Sequence, residues 1–320
     1  MKLIVQVPCY NEQDTIAETI ADIPRDIPGI DRVEVLVIDD GSTDQTARVA
    51  REAGADYIVS NMTNLGLART FAVGINYCLQ AGADIIVNTD GDHQYHGSDI
   101  QHIIVPILEH RADIVIGDRQ PSTTPHFSRL KRLLQYFGSK VVKRLSGLDI
   151  PDPVSGLRAI SREAALRLNI ISSFSYTTEM VIQAGKRHMV VVSVPVTTND
   201  VARASRLAPT VARFVLNSLV TMLRMYAMYQ PLRMFFYISG FLSLIGIIPI
   251  IRYLLYYLAG QGAGHVQSLI LGGVFLIIGA VAFLIGLLAD LISFNRQLLE
   301  LVLEKTRRIE FSRNRNNTEN

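Results

Sequence analysis

Ile85-Ile86-Val87-Asn88-Thr89-Asp90-Gly91-Asp92-His93-Gln94 is an apolar run that breaks into two carboxylates one residue apart. The apolar part reads as a buried strand. The carboxylates stand at its C-terminal end with a glycine between them, so both can turn toward one point. Oxygen ligands of this kind suit Mg²⁺ or Mn²⁺, and such ions in enzymes usually hold phosphates. An Asp-x-Asp pair also occurs in ordinary solvated turns, so its meaning depends on what surrounds it.

Working outward, the same pattern recurs. Leu3 to Val7 reads as a first strand, stopped by Pro8 and followed by the polar loop Cys9-Tyr10-Asn11-Glu12. Val33 to Ile38 is a second strand, and it ends in Asp39-Asp40-Gly41-Ser42-Thr43-Asp44. Tyr57 to Val59 and Asp113 to Gly117 are further strands. Helices are expected between them, opening at Thr15 and Ser42 with capping-box spacing, at Asn64-Leu65-Gly66, and at Ser98. Strands that alternate with helices imply a mainly parallel sheet covered on both faces. Ligands of such sheets sit beyond the carboxyl ends of the strands. Three polar clusters fall there: Pro8 to Glu12, Asp39 to Asp44, and Asp90 to Gln94. No G-x-G-x-x-G follows the first strand and no Walker loop occurs, so a dinucleotide site of the Rossmann type is not indicated. Carboxylates in place of glycines must meet a phosphate through a cation.

Asp152 to Arg158 reads as a turn leading into a strand, and Thr177-Thr178-Glu179 as the start of a helix. Val190 to Val196 is a strand that contains Pro195, which points to a sheet edge. The two cysteines, Cys9 and Cys78, offer neither a disulfide framework nor a zinc pattern and read as buried small side chains. Met1-Lys2 leads straight into the first strand, so no signal peptide is expected and the polar part should be cytoplasmic.

The second half changes character. Pro209 to Tyr229 is amphipathic: Arg213, Asn217 and Arg224 fall within about 40° of one another at helical periodicity, as in a helix lying on a membrane surface. Met234 to Ile251 and Val266 to Ala289 carry no charged residue. At about 1.5 Å per residue, both approach or exceed a hydrocarbon core of roughly 30 Å. Arg203, Arg206, Arg213, Arg224 and Arg233 precede the pair, and Arg296, Lys305, Arg307 and Arg308 follow it. The positive-inside rule therefore places both flanks in the cytoplasm. The expected organisation is residues 1–200 as a catalytic domain, 201–231 as a loop and interfacial helix, 232–293 as two spans (about 232–257 and 266–291), and 294–320 as a basic tail, disordered from Ser312.

Pro8-x-Tyr10-Asn11-Glu12, Asp39 to Asp44 and Asp90 to Gln94 together resemble family-2 glycosyltransferases of GT-A fold. Asp152-Pro153-x-Ser155-Gly156-Leu157-Arg158, Val194-Pro195-Val196, Arg203-x-Ser205-Arg206-Leu207 and Tyr226-x-x-Tyr229-x-Pro231-Leu232 are similar to segments of polyprenyl-phosphate glycosyltransferases, among them the dolichyl-phosphate mannose and glucose synthases. The resemblance runs from residue 3 to about residue 290. It implies a mixed, mainly parallel sheet and metal-dependent, inverting transfer of a sugar from GDP-mannose or a UDP-hexose to a lipid phosphate. Pro8, Tyr10, Asn11, Glu12 and Asp40 would hold the nucleoside. Asp90, Asp92 and Gln94 would bind Mg²⁺ or Mn²⁺ and the diphosphate. Arg119 would face the phosphates. Asp152 would lie near the reacting centre, with Asp92 and Arg119 as its catalytic companions, and Glu179 would follow in the next helix. Arg203, Arg206 and Ser155 would meet the acceptor phosphate. Relatives form oligomers through their membrane helices, so a homo-oligomer is expected. Nucleic acid is not an expected partner. Members of the family often carry Ala at position 91, Leu at 93 and Lys at 67, where this chain has Gly91, His93 and Leu67.

Rival readings fare less well. A processive polysaccharide synthase would carry a Gln-x-x-Arg-Trp motif, and this chain has no Trp. A different acceptor leaves the apolar spans unexplained. A catalytically inactive lipid-phosphate-binding scaffold leaves the intact Asp90, Asp92, Arg119 and Asp152 unexplained.

Overall fold

The structure is a computed structural model that describes residues 1–120, 142–170, 176–199, 220, 223–224, 226–260 and 264–318. It divides into two compact units, Met1–Ser218 with Glu304–Asn320, and Leu219–Leu303.

The first unit is built on seven strands: β1 (Lys2–Cys9), β2 (Arg32–Asp39), β3 (Tyr57–Ser60), β4 (Ile85–Asn88), β5 (Ile114–Asp118), β6 (Arg158–Ser161) and β7 (Val191–Pro195). Their order across the sheet is β3-β2-β1-β4-β6-β5-β7. β7 is an edge, as Pro195 indicated. All neighbours are parallel except β6, which runs antiparallel to both β4 and β5. The helices are α1 (Ile16–Asp22), α2 (Thr46–Glu52), α3 (Leu67–Gln80), α4 (Asp99–Leu108), α5 (Arg162–Arg167) and α6 (Tyr176–Lys186).

Strand side chains alternate in direction, so each strand feeds two cores. Ile4, Leu36, Ile38, Ile86, Ile116 and Ile160 pack with α3, α5 and α6 on one face. Leu3, Val5, Val35, Val37, Ile85 and Val87 pack with α1 and α4 on the other. Each fully buried Leu, Ile or Val contributes about 1.5–3 kcal/mol by leaving water, and both faces of the central strands are closed to solvent.

Two local expectations change. β1 runs through Pro8 instead of stopping before it. The Gln6 carbonyl accepts from Thr89 N, so even-numbered backbone groups here face β4. That ladder ends at Gln6 opposite Asn88, and the N–H that proline lacks has no partner to miss. α2 starts at Thr46, four residues beyond Ser42, and neither Thr15, Ser42 nor Ser98 caps a helix with its side chain. Ser161, on which no cap was expected, does so by accepting from Ala164 N.

The second unit contains α7 (Pro231–Leu258) and the first part of α8 (Val266–Thr318). Both helices are long and apolar enough to cross a membrane. Only 6% of the most apolar stretch of α7 and 17% of that of α8 is buried within the protein, unlike the core helix of a soluble domain. Glycines let them meet. A Cβ at Gly272 would lie 2.6 Å from the Gly246 carbonyl oxygen, one at Gly279 would lie 2.6 Å from Ser243 Oγ, and one at Gly286 would lie 2.6 Å from Phe235 Cβ. These glycines recur every seventh residue, the spacing of a helix–helix seam.

The tail differs from expectation. It is helical through Thr318, and its residues from Glu304 belong to the first unit. Arg307 donates to the Leu168 carbonyl at 2.6 Å. Arg308 pairs with Glu163, and Phe311 joins the α3/α6 core. The expected interfacial helix lies largely outside the described residues.

Replacing Gly279 by Leu should push the two apolar helices apart, with a cost of about 1–3 kcal/mol for overpacking. The expected result is a lower thermal midpoint in detergent. Gly273→Leu, where nothing lies within 4 Å of the new Cβ, should leave the midpoint unchanged.

Candidate active site

The reversed direction of β6 assembles the site. Parallel strands bring their carboxyl ends to one edge of the sheet. An antiparallel strand brings its N-terminal end there, and with it the turn Asp152 to Leu157. Arg158 stands opposite Asn88 of β4 and Ile116 of β5. The turn thus reaches the edge that also holds Asp39-Asp40, Asp90-Gly91-Asp92 and Asp118-Arg119. It passes so near β4 that a Cβ on Gly156 would lie 2.1 Å from Asp90 Oδ2. No side chain larger than hydrogen fits there.

Asp90 and Asp92 are partly buried. The carboxyl of Asp90 is held well above its ordinary pKa, first by loss of water and then by the charge of Asp92. Asp92 is also raised, chiefly by burial. Asp92 Oδ1 accepts from Gln94 N at 3.1 Å. Asp90 takes no hydrogen bond from the described residues. Two neighbouring acids with oxygens to spare and little water form a hard donor set that fits a divalent cation. Among the described residues no group of three or more His, Cys, Asp and Glu could hold a metal ion. A cation here would rest on Asp90, Asp92 and the Gln94 amide and take its remaining oxygens from substrate, as Mg²⁺ and Mn²⁺ do at phosphate sites.

Arg119 and Asp152 form one group. Arg119 Nε and Nη2 donate to Asp152 Oδ2 and Oδ1 at 2.7 and 3.1 Å. Asp152 is fully buried. Burial alone would lower the guanidinium pKa, but Tyr95 and Asp152 hold it above the usual range. The fork geometry fixes the plane of Arg119 at the mouth of the site.

Several residues serve the frame. Asp40, expected at the nucleoside, accepts from Leu65 N, Gly66 N and Asn61 Nδ2 at 2.8, 2.9 and 2.9 Å, and so holds the loop that opens α3. Asp39 accepts from Ser42 N, and Ser42 Oγ from Asn11 N. Asn11, at φ 54°, accepts from Thr43 N. Glu12 N donates to Thr46 Oγ1 at 2.8 Å. The loops after β1 and β2 are thereby tied together, with Tyr10 exposed beside them and Pro8 still within β1. Ser155, expected at the acceptor phosphate, is fully buried with its hydroxyl 3.3 Å from Tyr95 OH. His93 faces α1, with Glu18 and Asp22 3.5 and 3.7 Å away. Burial pushes the Cys9 thiol up, aided by the charge of Asp39, so it is no nucleophile. Glu179 is buried and accepts from Gln183 Nε2. Arg203 and Arg206 lie outside the described residues.

The frame also contains groups to which sequence reasoning gave no role. Arg158 is fully buried and donates to the carbonyls of Pro153, Ser155 and Thr177, clamping the turn onto α6. Burial lowers its pKa. Gln6 Nε2 donates to Asn88 Oδ1, and Asn88 Nδ2 donates to Gly156 O and Tyr176 OH, all at 2.9 Å. Tyr95, whose pKa burial pushes up to about 12, accepts from Gly156 N at 2.8 Å. A polar residue in the middle of an apolar strand, as Gln6 is, was the available signal for this network.

The family model described as glycosyl transferase family 2 matches residues 4–168. The chain is 28% identical over 207 residues to the dolichyl-phosphate hexose transferase of Haloferax volcanii, covering 65% of this chain and 87% of that one. It is 26% identical over 207 residues to the polyprenol monophosphomannose synthase of Mycolicibacterium smegmatis, covering 61% and 77%. In fold it is similar to glucosyl-3-phosphoglycerate synthase from Mycobacterium tuberculosis, crystallised with Mn²⁺, UDP and phosphoglyceric acid. That similarity has a TM-score of 0.53 at 22% identity and covers 69% of this chain and 78% of the other. The match spans β1 to the end of α5 and includes every strand-end acid described above: the chain belongs to glycosyl transferase family 2.

Proposed function

We propose that the chain transfers a hexose from a nucleotide diphosphate sugar, GDP-mannose or a UDP-hexose, to a polyprenyl (dolichyl) phosphate at the cytoplasmic face of a membrane, inverting the anomeric centre. The observation that carries this reading is one chain joining a carboxylate site of this family to two helices apolar enough to cross a bilayer. The names of the two relatives specify lipid-phosphate or polyprenol sugar transfer, and the structural neighbour was crystallised with Mn²⁺ and UDP.

In this reading Pro8 to Glu12 and Asp40 shape the nucleoside end of the donor site. A divalent cation held by Asp90, Asp92 and Gln94 offsets the charge that develops on the leaving diphosphate. Arg119 adds charge-assisted hydrogen bonds to the same oxygens, already oriented by Asp152. The nucleophile is a phosphate monoester with a second pKa of about 6, so it is largely ionised at neutral pH and needs little help from a base. Asp152 fits that economy: both its oxygens accept from one guanidinium, so it orients and balances charge. Residues 1–200 form the catalytic part. Residues 201–231 form an acceptor loop and interfacial helix, with Arg203 and Arg206 drawing in the lipid phosphate. Residues 232–293 form the anchor, and the terminal segment lies on the cytoplasmic side.

Purified protein given labelled nucleotide sugars, polyprenyl phosphate and Mn²⁺ or Mg²⁺ should yield an organic-soluble, metal-dependent product with at least one donor. Failure with all common donors would sink the reading. Asp92→Ala should reduce turnover to background while the protein is still recovered in membranes; full activity would remove Asp92 from the site.

Arg119→Lys keeps the charge but cannot engage both oxygens of Asp152 in a planar fork. Its kcat should fall by about 10²-fold, the loss typical of one preorganised donor to developing charge. A variant within a factor of two of the unmodified protein would show that the fork is dispensable.

A further inference from the structure

We infer that Asn199 is a positioning residue for the loop that carries Asp92 and Gln94, and that it acts by holding His93 in a left-handed backbone conformation. The inference rests on the reading of Asp90, Asp92 and Gln94 as the cation site.

His93 stands between Asp92 and Gln94 with φ 55°. Residues other than glycine adopt this region uncommonly, His more readily than most, and contacts from surrounding structure favour it where they fix the backbone. The turn at His93 brings Gln94 back beside Asp92, whose Oδ1 accepts from Gln94 N. The loop is secured at both ends. Near its start, Thr15 and Thr19 of the α1 region donate to the Gly91 carbonyl at 2.8 and 3.3 Å. At its far end Gly97 N donates to Asp22. Between those ends the backbone is held from a distant part of the chain. Asn199 Nδ2 donates to the His93 carbonyl at 3.0 Å. Asn199 N donates to the Gln94 carbonyl at 2.9 Å. Thr198 bridges Tyr95 in an antiparallel pair. Thr197 donates through both N and Oγ1 to Asp99 Oδ2 at 2.7 and 2.8 Å, which seats this short segment on α4.

Among the described residues after β7, Asn199 supplies the side chain that grips the His93 carbonyl. Its backbone N–H grips the next carbonyl in any variant, so the side chain's own effect can be isolated. In this reading it acts as an outer-shell partner, through the backbone of the groups that would hold the cation. Loss of such partners typically weakens metal binding by 10–100-fold.

Mn²⁺ titrated into the purified full chain, with the free ion read by electron paramagnetic resonance in the presence of UDP or GDP, tests this directly. Asn199→Ala should weaken Mn²⁺ binding about tenfold. Its kcat should recover at saturating Mn²⁺, because the machinery itself is intact. Asn199→Asp keeps the size and the backbone N–H but removes the amide donor, and should behave as Asn199→Ala does. It also provides the test if the alanine variant folds poorly. Adding His93→Gly to Asn199→Ala should restore most of the affinity, since glycine occupies the left-handed region at no steric cost. Unchanged Mn²⁺ affinity in both Asn199 variants would overturn the inference. So would a double variant that stays as weak as Asn199→Ala, which would mark a general packing role. An unmodified protein that binds no Mn²⁺ would overturn the cation site itself, and this inference with it.

Discussion

Two carboxylates at the end of β4 stand where little water reaches them, and among the described residues no ion pair closes on either. This unbalanced charge is what the rest of the site is arranged around. The loss of hydration and the Asp92 charge both act against ionising Asp90. Arg119 and Arg158 act the other way. Yet Arg119 is already committed to Asp152, and Arg158 donates its hydrogen bonds to three backbone carbonyls. The protein therefore offers a field that a small divalent ion and an anionic diphosphate can enter together. Under the proposed reaction the carboxylates would bind the ion, and the part of the Arg119 guanidinium not held by Asp152 would meet phosphate oxygens. A site built only of glycines and a helix terminus, as in nucleotide folds with a phosphate loop, would need no such balance.

Bringing these charges together depends on the direction of one strand. Had β6 been parallel to its neighbours, its leading turn would lie at the opposite edge of the sheet. Asp152 would then be a strand's length from Arg119. Gly156 has the complementary job of letting the reversed turn approach β4. The network Gln6–Asn88–Gly156–Tyr176 then fixes the spacing between the two from beneath. Each member is buried, so each missing partner would leave a costly unsatisfied group, and the network has few alternative arrangements.

The chain displays some of this openly and conceals the rest. Strands with near-continuous apolar runs and polar ends were readable, because both faces of the sheet are buried and the edge is not. The acids at the ends of β2 and β4 were readable for the same reason. Helix starts were less so. Thr15 and Ser42 have the composition of caps, but the site recruits them: Thr15 donates to the Gly91 carbonyl, and Ser42 accepts from Asn11 N. A hydroxyl near a strand end has two employers, and local spacing does not say which one wins. The Arg119–Asp152 pair was invisible for a different reason. Each residue was singled out separately, but their contact spans 33 positions and follows from the strand order, which no local pattern encodes. The burial of Ser155 follows from the same turn. The end of the chain was read from its charge as a basic flank of the spans, a reading that says nothing of contacts. Arg307 and Arg308 instead find a carbonyl and a carboxylate, and Phe311 finds a core.

The apolar helices bear on the chemistry through concentration as much as through attachment. Under the proposed reaction both substrates are anions, and their encounter in bulk water would be opposed by charge and by the insolubility of a polyprenyl chain. An acceptor confined to a bilayer is met by an enzyme confined to the same bilayer, and the effective concentration is then set by surface density. The anchor needs little chemistry of its own to do this. Its helix seam is made by Gly246 and Gly272, which let backbones approach, and by Gly279 and Gly286, which make room for Ser243 and Phe235 of the partner helix. In a bilayer, where lipid removes most of the hydrophobic drive for helices to associate, close packing of this kind would hold the two helices together.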